Sequence, residues 1–577
     1  MAESRISAVI IPQTDPHQSE YLAAHWQVRR FFSNFTGSAG DLIVTADRAL
    51  LWTDSRYFLQ AAQQLHDTGI ELMKDGLPET PSQLDWLKSN IAKGLTVGVD
   101  TKVYNDAAFR SLEAELHRAG IKTIHFDPAV VWEDRPSLPD DPIFVHDVKY
   151  AGIDASDKID AVVTAAEGYG ADAVFISALD EIAWLLNIRS RDVRYNPVAT
   201  AFLYLGRTDK VLFTDLRKVT DDVKEYLETK HVDIKSYNDA LQFLTGLPSE
   251  TRVLVEPGRN SHAVAKALGD KMVSGPSLVA ISKAVKNDVQ LAGIRAAMER
   301  DGVALVNAFM EIERRLAVDE PLTEIDVADI LRHYRSQQEL FFDESFGTIA
   351  GYGPHGAIVH YEATPETNSA VRTGNLLLVD SGAQYLDGTT DITRTISLGT
   401  PTAEQRRDFT LVMKGHIGLA LMQFPAGTTG HQLDAIARMH LWKNSLNYLH
   451  GTGHGVGQFL GVHEGPQSLR LNYVPTPLMP GMVTSNEPGL YRENVHGIRC
   501  ENLVLTVPAV KNEFGEFLRF ETLTLFPFDI TLFDTSLMTN EEIAWVNDYH
   551  ATVRARLSPL LNSDQRVWLE RKTAYIN

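Results

Sequence analysis

Apolar runs that alternate with helical patterns organise the first half of the chain. Residues 1–150 contain one clear helical pattern, residues 57–65, among short apolar runs that are typical of strands. This alternation predicts an α/β domain. The prolines between Pro128 and Pro142 cannot lie inside a helix or a central strand, so we place a domain boundary near residue 150. The predicted strands are residues 6–11, 42–44, 49–52 and 96–99.

Residues 151–283 repeat the alternation and predict a second α/β domain that is similar to the first. Two long helical patterns then open a third predicted domain, residues 284–577, which we assign to the α+β class. The chain of this domain is rich in Gly, His, Asp and Glu up to about Thr506. The strands predicted in the second domain are residues 173–176, 202–205, 211–213 and 253–256, and the helices predicted in the third are residues 287–316, 322–338 and 540–557.

Composition excludes several classes of protein. The 577 residues include 54 Lys and Arg against 75 Asp and Glu, a net charge of −21, and no long basic run interrupts this acidity. We therefore expect no nucleic-acid partner and no membrane partner. The single cysteine, Cys500, excludes an intrachain disulfide framework and fits a reducing compartment. The first residues lack a signal-peptide pattern and no apolar stretch is long enough to span a membrane, so we expect a cytoplasmic protein.

A first pair of carboxylates occurs in the third predicted domain. Asp380 and Asp391 lie on two predicted strands joined by a turn within residues 376–396. An antiparallel register in which paired residue numbers sum to 771 would place them directly opposite one another on one face. Because this register centres the connection between Tyr385 and Leu386, the Asp387–Gly388 dipeptide cannot form the tip, and we expect a bulge or a wider loop.

A second pair follows the same plan. Equal-arm pairing around Asn494 faces Glu487 with Glu501, and a glycine-rich run between the two hairpins offers the imidazole of His454. Four carboxylates in one pocket repel each other unless cations balance them, and two divalent ions do so. Oxygen ligands with one imidazole suit Mn²⁺ best, with Co²⁺, Fe²⁺ or Zn²⁺ as alternatives. Two such ions can activate water and polarise a carbonyl group, which is typical of metal-assisted hydrolases.

These segments resemble the metal-binding motifs of the pita-bread metallopeptidases, and most closely those of the aminopeptidase P group. The motifs are residues 380–395, HGTGHGVG at 450–457, VHEGP at 462–466, SNEPG at 485–489 and IRCEN at 498–502. The resemblance extends outside that domain to the long, three-domain cytosolic form, through HQSEY at 17–21, GSAG at 37–40, WTDSRYFLQ at 52–60, ALDEIAW at 178–184 and FETLTL at 520–525. Each short motif could occur by chance, but five in the same order and at compatible spacing make the resemblance specific.

The resemblance implies a fold and an activity. The fold would be two creatinase-like N-terminal α/β domains, residues 1–150 and 151–283, followed by a pita-bread catalytic domain, residues 284–577. The activity would be release of the N-terminal residue from peptides with proline in the second position, by attack of a metal-bridging hydroxide on the Xaa-Pro carbonyl. The resemblance allows a homodimer. It also implies two Mn²⁺ ions, held by Asp380, Asp391, His454, Glu487 and Glu501.

Further roles follow from the same resemblance. Glu487 would act as general base, and His360 and His463 would contact substrate and stabilise the tetrahedral intermediate. Residues near the substrate end of the pocket would be Arg56 and His450, and a second layer that orients Asp380 and Asp391 would be Tyr491 and Arg499. We assign no role to His355, and we interpret His416, His431 and His440 as helix residues that serve solvation or packing.

Three alternatives stay open at this point. A proline dipeptidase of the same fold would carry similar ligands, although two preceding α/β domains are more than that enzyme usually has. A methionine aminopeptidase would lack those domains. A catalytically silent pita-bread module that binds peptide or protein would lack the metal set, whereas all five ligand types are present here.

Overall fold

The computed structural model describes residues 5–577 and divides into two compact units. The N-terminal unit extends to residue 148 and includes residues 153–280, and the C-terminal unit comprises residues 149–152 and 281–577. Residues 1–4, on which the expected lack of a leader partly rests, lie outside the described residues. Within residues 5–577, no helix is both long and apolar enough to cross a membrane.

The N-terminal unit contains two six-stranded mixed sheets of the same topology. The strand order is β4-β3-β2-β1-β5-β6 in the first sheet and β12-β11-β10-β8-β13-β14 in the second. In each sheet the first strand lies centrally between an antiparallel neighbour and a parallel one. The strands of this unit are β1 Ala8–Ile11, β2 Asp41–Thr45, β3 Ala49–Thr53, β4 Ile70–Lys74, β5 Thr96–Val99, β6 Lys122–His125, β7 Phe144–Val145, β8 Ala173–Ile176, β9 Ile188–Arg189, β10 Ala201–Gly206, β11 Lys210–Thr214, β12 Asp233–Ser236, β13 Val253–Val255 and β14 Met272–Ser274, and β7 and β9 form a separate two-stranded sheet.

Each of these sheets carries its own helices and its own apolar core. All eight strands predicted in residues 6–256 are confirmed, and so is the similarity of the two α/β regions. The boundaries near residues 150 and 283 stay predictions. The helices up to residue 284 are α1 Val28–Ser33, α2 Phe58–Gln64, α3 Gln83–Asn90, α4 Asp106–Arg118, α5 Val148–Ala151, α6 Ala155–Glu167, α7 Leu179–Leu186, α8 Asp221–Thr229, α9 Ala240–Gly246, α10 His262–Leu268 and α11 Ala280–Ala284.

Helices enclose several small sheets in the C-terminal unit. The three predicted helices are confirmed, and the first of them begins at a reciprocal cap in which the side chains of Asn287 and Gln290 each accept the other residue's backbone N–H. The helices are α12 Asp288–Ala317, α13 Glu324–Ser336, α14 Ala403–Ala420, α15 Gly430–Trp442, α16 Asn540–Leu557 and α17 Ser563–Lys572.

The sheets of this unit have the strand orders β15-β18-β19, β16-β17-β20, β21-β28-β27-β24, β22-β23 and β25-β26. One buried apolar cluster joins α12, α13, α14 and α16 to the strands that carry or flank the candidate ligands, and Cys500 lies within it. The strands are β15 Phe341–Glu344, β16 Ile349–Tyr352, β17 Leu376–Ser381, β18 Ala383–Tyr385, β19 Gly388–Thr389, β20 Ile392–Ser397, β21 Gln423–Pro425, β22 Gly453–His454, β23 Ser468–Leu469, β24 Val483–Asn486, β25 Gly489–Arg492, β26 His496–Arg499, β27 Asn502–Asn512 and β28 Gly515–Thr522.

Candidate metal centre

The first hairpin has a register two residues away from the predicted one. Asp380 of β17 pairs with Thr393 of β20, so paired residue numbers sum to 773 and the prediction of 771 was wrong. Since alternate residues of a strand share a face, Asp391 still lies on the same side of the hairpin as Asp380, as a diagonal neighbour. The two carboxylates therefore converge without lying directly opposite each other.

The tip of this hairpin explains the difference in register. Tyr385 pairs with Gly388, which leaves a two-residue turn at Leu386 and Asp387 in place of the expected bulge or wider loop. Arg300 of α12 forms an ion pair with the side chain of Asp387. A Cβ atom on Gly388 would lie 2.9 Å from the Cβ of Ala297, so only glycine lets the tip approach α12 this closely. The packing against α12 thus favours the observed turn.

The second hairpin confirms the predicted register around Asn494. Gly489 pairs with Arg499 on the near side of Glu487 and Glu501, and Asn486 pairs with Asn502 on the far side, both in the same register. The two glutamates occupy the gap between these ladders. Their backbone N–H groups donate elsewhere: that of Glu487 to the carbonyl of Thr452 at 2.8 Å, and that of Glu501 to the carbonyl of Thr393 at 3.1 Å. These two hydrogen bonds therefore connect the second hairpin to the segments that carry His454 and Asp391.

The five predicted ligand residues form one cluster, in which Asp380, Asp391 and Glu501 are buried while His454 and Glu487 are half-buried. One ligand atom from each of Asp391, His454 and Glu501 lies within 4.8 Å of the others. His454 Nε2 is 3.3 Å from Glu487 Oε1 and 3.5 Å from Asp391 Oδ2. Asp380 joins them across the first hairpin, only 7% exposed. This set of donors can hold divalent cations, and the assignment of each residue as a ligand stays a prediction.

The electrostatics of the cluster favour the binding of cations. Burial and repulsion from neighbouring carboxylates raise the pKa of Asp391 and of Glu501 well above their usual values. Burial also raises the pKa of Asp380, although Arg499 opposes the rise. Among the described residues, Asp380 Oδ1 and Glu501 Oε1 are buried and have no hydrogen-bond partner. Divalent cations would engage these oxygens and offset the repulsion, so the residues present fit a metal centre.

The proton between His454 and Glu487 resides on His454. Burial alone would lower the pKa of His454, but its hydrogen bond with Glu487 raises it to about 9. Burial alone would raise the pKa of Glu487, but His454 lowers it to about 2. His454 Nδ1 lies 3.0 Å from the carbonyl oxygen of Gly455, which can only accept, so Nδ1 carries a hydrogen. A cation that displaced the other proton would therefore meet the Nε2 lone pair.

Two further histidines lie beside the cluster. The ring centroids of His454 and His463 are 4.3 Å apart, and those of His463 and His360 are 6.5 Å apart. His463, which is predicted to contact substrate, thus lies next to the candidate ligand His454, and His360 lies next to His463. His355, to which we gave no role, lies 2.9 Å from the carboxylate of Glu324, which also accepts the backbone N–H groups of Tyr352 and Ser369.

A chain of hydrogen bonds leads away from the cluster. Arg499 donates from Nε and Nη2 to Asp380 Oδ2, and from Nη1 to the hydroxyl oxygen of Tyr491 at 2.8 Å. The Tyr491 hydroxyl in turn donates to His450 Nε2 at 2.8 Å, because His450 Nδ1 donates to the carbonyl of Gly451. Arg499 thus contacts Asp380 as the resemblance implied, whereas Tyr491 acts one step further out.

Two predicted substrate residues are engaged elsewhere in the structure. Both ring nitrogens of His450 are occupied by Tyr491 and Gly451, and burial lowers the pKa of His450 to about 4. Arg56 belongs to the N-terminal unit, where it donates from Nε and Nη2 to the two carboxylate oxygens of Asp54. Contact of either residue with substrate stays a prediction.

His416 supports the cluster in a way that the sequence did not reveal. This fully buried residue of α14 donates from Nδ1 to the carbonyl of Asn486 at 3.1 Å, and its Nε2 lies 3.3 Å from Asn502 Nδ2. Asn486 and Asn502 directly flank Glu487 and Glu501. We interpreted His416 as a packing residue because a helical position alone carries no signal of what it faces.

Family models match consecutive parts of the chain. The model of metallopeptidase family M24 matches residues 292–508, and that of the C-terminal region of peptidase M24 matches residues 516–576. Two models of a creatinase/prolidase N-terminal domain match residues 1–135 and 134–290.

Full-length relatives and a solved structure are similar to the whole chain. Aminopeptidase P2 of Arabidopsis thaliana is 41% identical, over 98% of this chain and 86% of that protein. A probable Xaa-Pro aminopeptidase P of Laccaria bicolor is 42% identical, over 99% and 91%. The crystal structure of X-prolyl aminopeptidase from Caenorhabditis elegans, a cytosolic enzyme with a di-nuclear active site, superposes with a TM-score of 0.96 at 36% identity, over 99% of this chain and 95% of that one.

Proposed function

This chain belongs to metallopeptidase family M24, and we propose that it is a metal-dependent Xaa-Pro aminopeptidase, which releases the N-terminal residue from peptides with proline in the second position. The observation that carries the proposal is the cluster of four carboxylates and one imidazole, in a chain similar over its full length to proteins named for this activity. The cluster argues against a silent binding module, and the full-length relatives argue against a dipeptidase.

We assign two divalent metal ions to Asp380, Asp391, His454, Glu487 and Glu501. Mn²⁺ is our choice of metal, since hard oxygen donors dominate the set, and Co²⁺, Fe²⁺ or Zn²⁺ are the alternatives. When bound, such ions lower the pKa of water and polarise a carbonyl group, which is the chemistry that hydrolysis of a peptide bond requires.

We assign the proton transfer, the contacts with substrate and the positioning of the ligands to the protein's own residues. Glu487 is our candidate general base, because its carboxylate lies beside His454 within the cluster and can accept a proton there. His463 and His360 are our candidates for contact with the scissile carbonyl, since their rings follow His454 in a row. Arg499 would hold Asp380 in place, while Arg56 and His450 remain candidates for contact with substrate further from the reacting bond.

We also propose a cytoplasmic location and a homodimer. The first is supported by the cytosolic relative of Caenorhabditis elegans and by the single buried cysteine. The second rests on the resemblance alone, and gel filtration with light scattering of the purified protein would test it.

A panel of three substrates tests the proposed function. Purified protein would be stripped with a chelator, reloaded with Mn²⁺, and offered Arg-Pro-Pro, Gly-Pro and a peptide that begins with Met-Ala. We expect free arginine from the first peptide, little product from the others, and no product before reloading. Preferential cleavage of Gly-Pro would indicate a dipeptidase, and failure to cleave any of the three after reloading would indicate a binding module. Parallel reloading with Co²⁺, Fe²⁺ and Zn²⁺ ranks the metals.

A further inference from the structure

A buried arginine lies behind the strand that directly follows the candidate ligand Asp391. Asp391 directly precedes β20, Thr393 faces the cluster from within it, and strand alternation places Arg394 on the opposite face. Arg394 is 1% exposed, although an arginine side chain is rarely buried so completely. None of the roles assigned above uses this residue, so its burial calls for a physical explanation.

On one side, the guanidinium group of Arg394 contacts the candidate ligand segments. Nη1 donates to the carbonyl oxygen of Thr393 at 2.9 Å and also to the carbonyl oxygen of Glu501. Nη2 donates to the side-chain oxygen of Asn502 at 2.8 Å. The same group therefore holds the backbone of both hairpins at the point where they meet.

On the other side, Arg394 contacts the C-terminal segment. Nε donates to the carbonyl of Pro527 at 3.1 Å. Besides Asn502, Nη2 has the carbonyl of Phe526 at 2.6 Å and the hydroxyl oxygen of Tyr549 at 2.9 Å as acceptors, so these three acceptors share its two hydrogens. The ring of Phe528 lies 3.9 Å from the guanidinium carbon. The C-terminal segment thus encloses the charge with carbonyl groups and an aromatic face.

Tyr549 of α16 is itself fixed in position. Its hydroxyl lies 3.0 Å from the carbonyl of Thr524 and 2.9 Å from that of Phe526, either of which accepts its hydrogen. Its ring stacks on that of Trp545 with an interplanar angle of 6°. The oxygen of Tyr549 is therefore held ready to accept from Arg394, and a phenylalanine at this position would keep the packing while losing that acceptor.

The contacts continue from Arg394 to a metal-ligand oxygen. The carbonyl of Thr393 that accepts from Arg394 also accepts the backbone N–H of Glu501 at 3.1 Å. The side-chain hydroxyl of Thr393 donates to Glu501 Oε2 at 2.8 Å. Thr393 thus links the guanidinium group to Glu501 through two contacts, and a shift of Arg394 would move both the backbone and the side-chain oxygen of Glu501.

We propose that Arg394, held by Tyr549 of α16, is a positioning residue that sets the orientation of the candidate metal ligand Glu501. The inference rests on the proposed function in one respect, since it takes Glu501 to be a ligand. The buried guanidinium group is satisfied by neutral oxygens, and its charge adds an electrostatic attraction to the nearby Glu501 carboxylate. The segment after residue 516 would then help to position a ligand of the metal centre.

Metal affinity tests the proposal directly. We would titrate the stripped wild-type protein, Arg394→Lys and Tyr549→Phe with Mn²⁺ in a calorimeter, and record the melting temperature of each protein without metal. Lysine keeps the charge but loses the fork of donors, so we expect Arg394→Lys to weaken Mn²⁺ binding by about 10- to 100-fold. Tyr549→Phe removes one hydrogen bond to the guanidinium, and we expect a loss of roughly two- to tenfold. Because Arg394→Lys can fail to fold, Tyr549→Phe is the deciding variant.

Tyr226→Phe is the matched control. It also removes a hydroxyl that donates to a carbonyl, that of Leu186 at 3.1 Å, but in the N-terminal unit. We expect it to lower the melting temperature of the metal-free protein while Mn²⁺ affinity stays at the wild-type value. Wild-type Mn²⁺ affinity in Tyr549→Phe would overturn the proposal, as would an equal loss of affinity in Tyr226→Phe.

The same titrations separate this inference from the proposed function. If the wild-type protein binds two Mn²⁺ ions but cleaves none of the three test substrates, the proposed function fails, and the affinity of Tyr549→Phe still decides whether Arg394 positions Glu501. If the wild-type protein cleaves Arg-Pro-Pro and Tyr549→Phe binds Mn²⁺ normally, the positioning role fails and the proposed function stands.

Discussion

Arg499 donates two hydrogen bonds to a single oxygen of Asp380, from Nε at 3.1 Å and from Nη2 at 2.6 Å to Oδ2. The other oxygen, Oδ1, is buried and has no hydrogen-bond partner among the described residues. The carboxylate is therefore polarised between a fixed cation on one side and an open lone pair on the other. Such an arrangement orients a metal ligand before the metal arrives.

Replacement of Arg499 by lysine tests this orientation. A lysine ammonium cannot contact Asp380 Oδ2 twice and also reach Tyr491, so we expect Mn²⁺ affinity to fall by about 10- to 100-fold. Calorimetric titration of the stripped variant measures the loss. Arg492→Lys is the control on the same hairpin, because Arg492 makes a comparable two-fold contact with Asp408 away from the cluster. An equal loss of affinity in both variants would show that the hairpin, and not Asp380, is being perturbed.

Glu487→Gln and His454→Ala should abolish turnover of Arg-Pro-Pro. The first variant removes the candidate general base and the second removes the only imidazole of the predicted ligand set, so we expect kcat to fall by at least about 10²- to 10⁴-fold. Steady-state kinetics with saturating Mn²⁺ and circular dichroism measure activity and fold together. Glu493→Gln, at the exposed tip of the same hairpin, should behave as wild type. Near-normal rates in either site variant would mean that the ligand assignment is wrong.

The buried His550 should make the C-terminal unit sensitive to acid. Burial, and then the charges of Arg394 and Arg554, lower the pKa of His550 to about 3, while its Nε2 accepts the backbone N–H of Phe528 at 3.1 Å. Because the folded value lies below the unfolded value of about 6.5, the stabilising contribution is present above that pH and is lost as the pH falls toward 3. Between about pH 7 and about pH 5 this costs about 2 kcal/mol.

His550→Gln should remove that part of the acid sensitivity. The amide oxygen of glutamine can accept from Phe528 but does not titrate, so we expect the loss of unfolding free energy between about pH 7 and about pH 5 to shrink by about 2 kcal/mol. Hydrogen exchange of the α16 amides measures it locally. His333→Gln, an exposed position, should leave the pH dependence unchanged. An unchanged dependence in His550→Gln would contradict the assignment of a neutral, buried ring.

Cys500 should be unreactive in the native protein. The side chain is fully buried, and burial raises the pKa of its thiol to about 12, so almost no thiolate exists at neutral pH. We expect a chromogenic thiol reagent to detect no thiol in native protein and one equivalent after addition of denaturant. Rapid native labelling would show that the core between Arg499 and Glu501 opens readily.

The two hairpins show how far the sequence predicts the site. Equal arms around Asn494 were enough to predict the pairing that brings Glu487 and Glu501 together, because both ladders obey one register. The same reasoning misjudged the first hairpin by two residues. There the turn is set by the contact of Asp387 with Arg300 on α12, a tertiary interaction that no local pattern contains.

The layer behind the ligands was not predictable for a related reason. Arg394 follows Thr393 in a strand, and His416 lies on a helix, so each has an ordinary local pattern. Their importance appears only when the C-terminal segment and α14 close over the ligand strands. Resemblance identified the residues that face the cluster, since those form short motifs, whereas the supporting residues are scattered along the chain.

The hydrogen-bond chain from Arg499 through Tyr491 to His450 has a fixed polarity. Each donor points away from the cluster: Arg499 to Tyr491, Tyr491 to His450, and His450 to the carbonyl of Gly451. Burial raises the pKa of Tyr491 to about 12 and lowers that of His450 to about 4, so a proton transfer from the first to the second is strongly uphill. The chain therefore opposes the passage of a proton from Tyr491 to His450, and its hydrogen bonds serve to hold Arg499, Tyr491 and His450 in a fixed orientation.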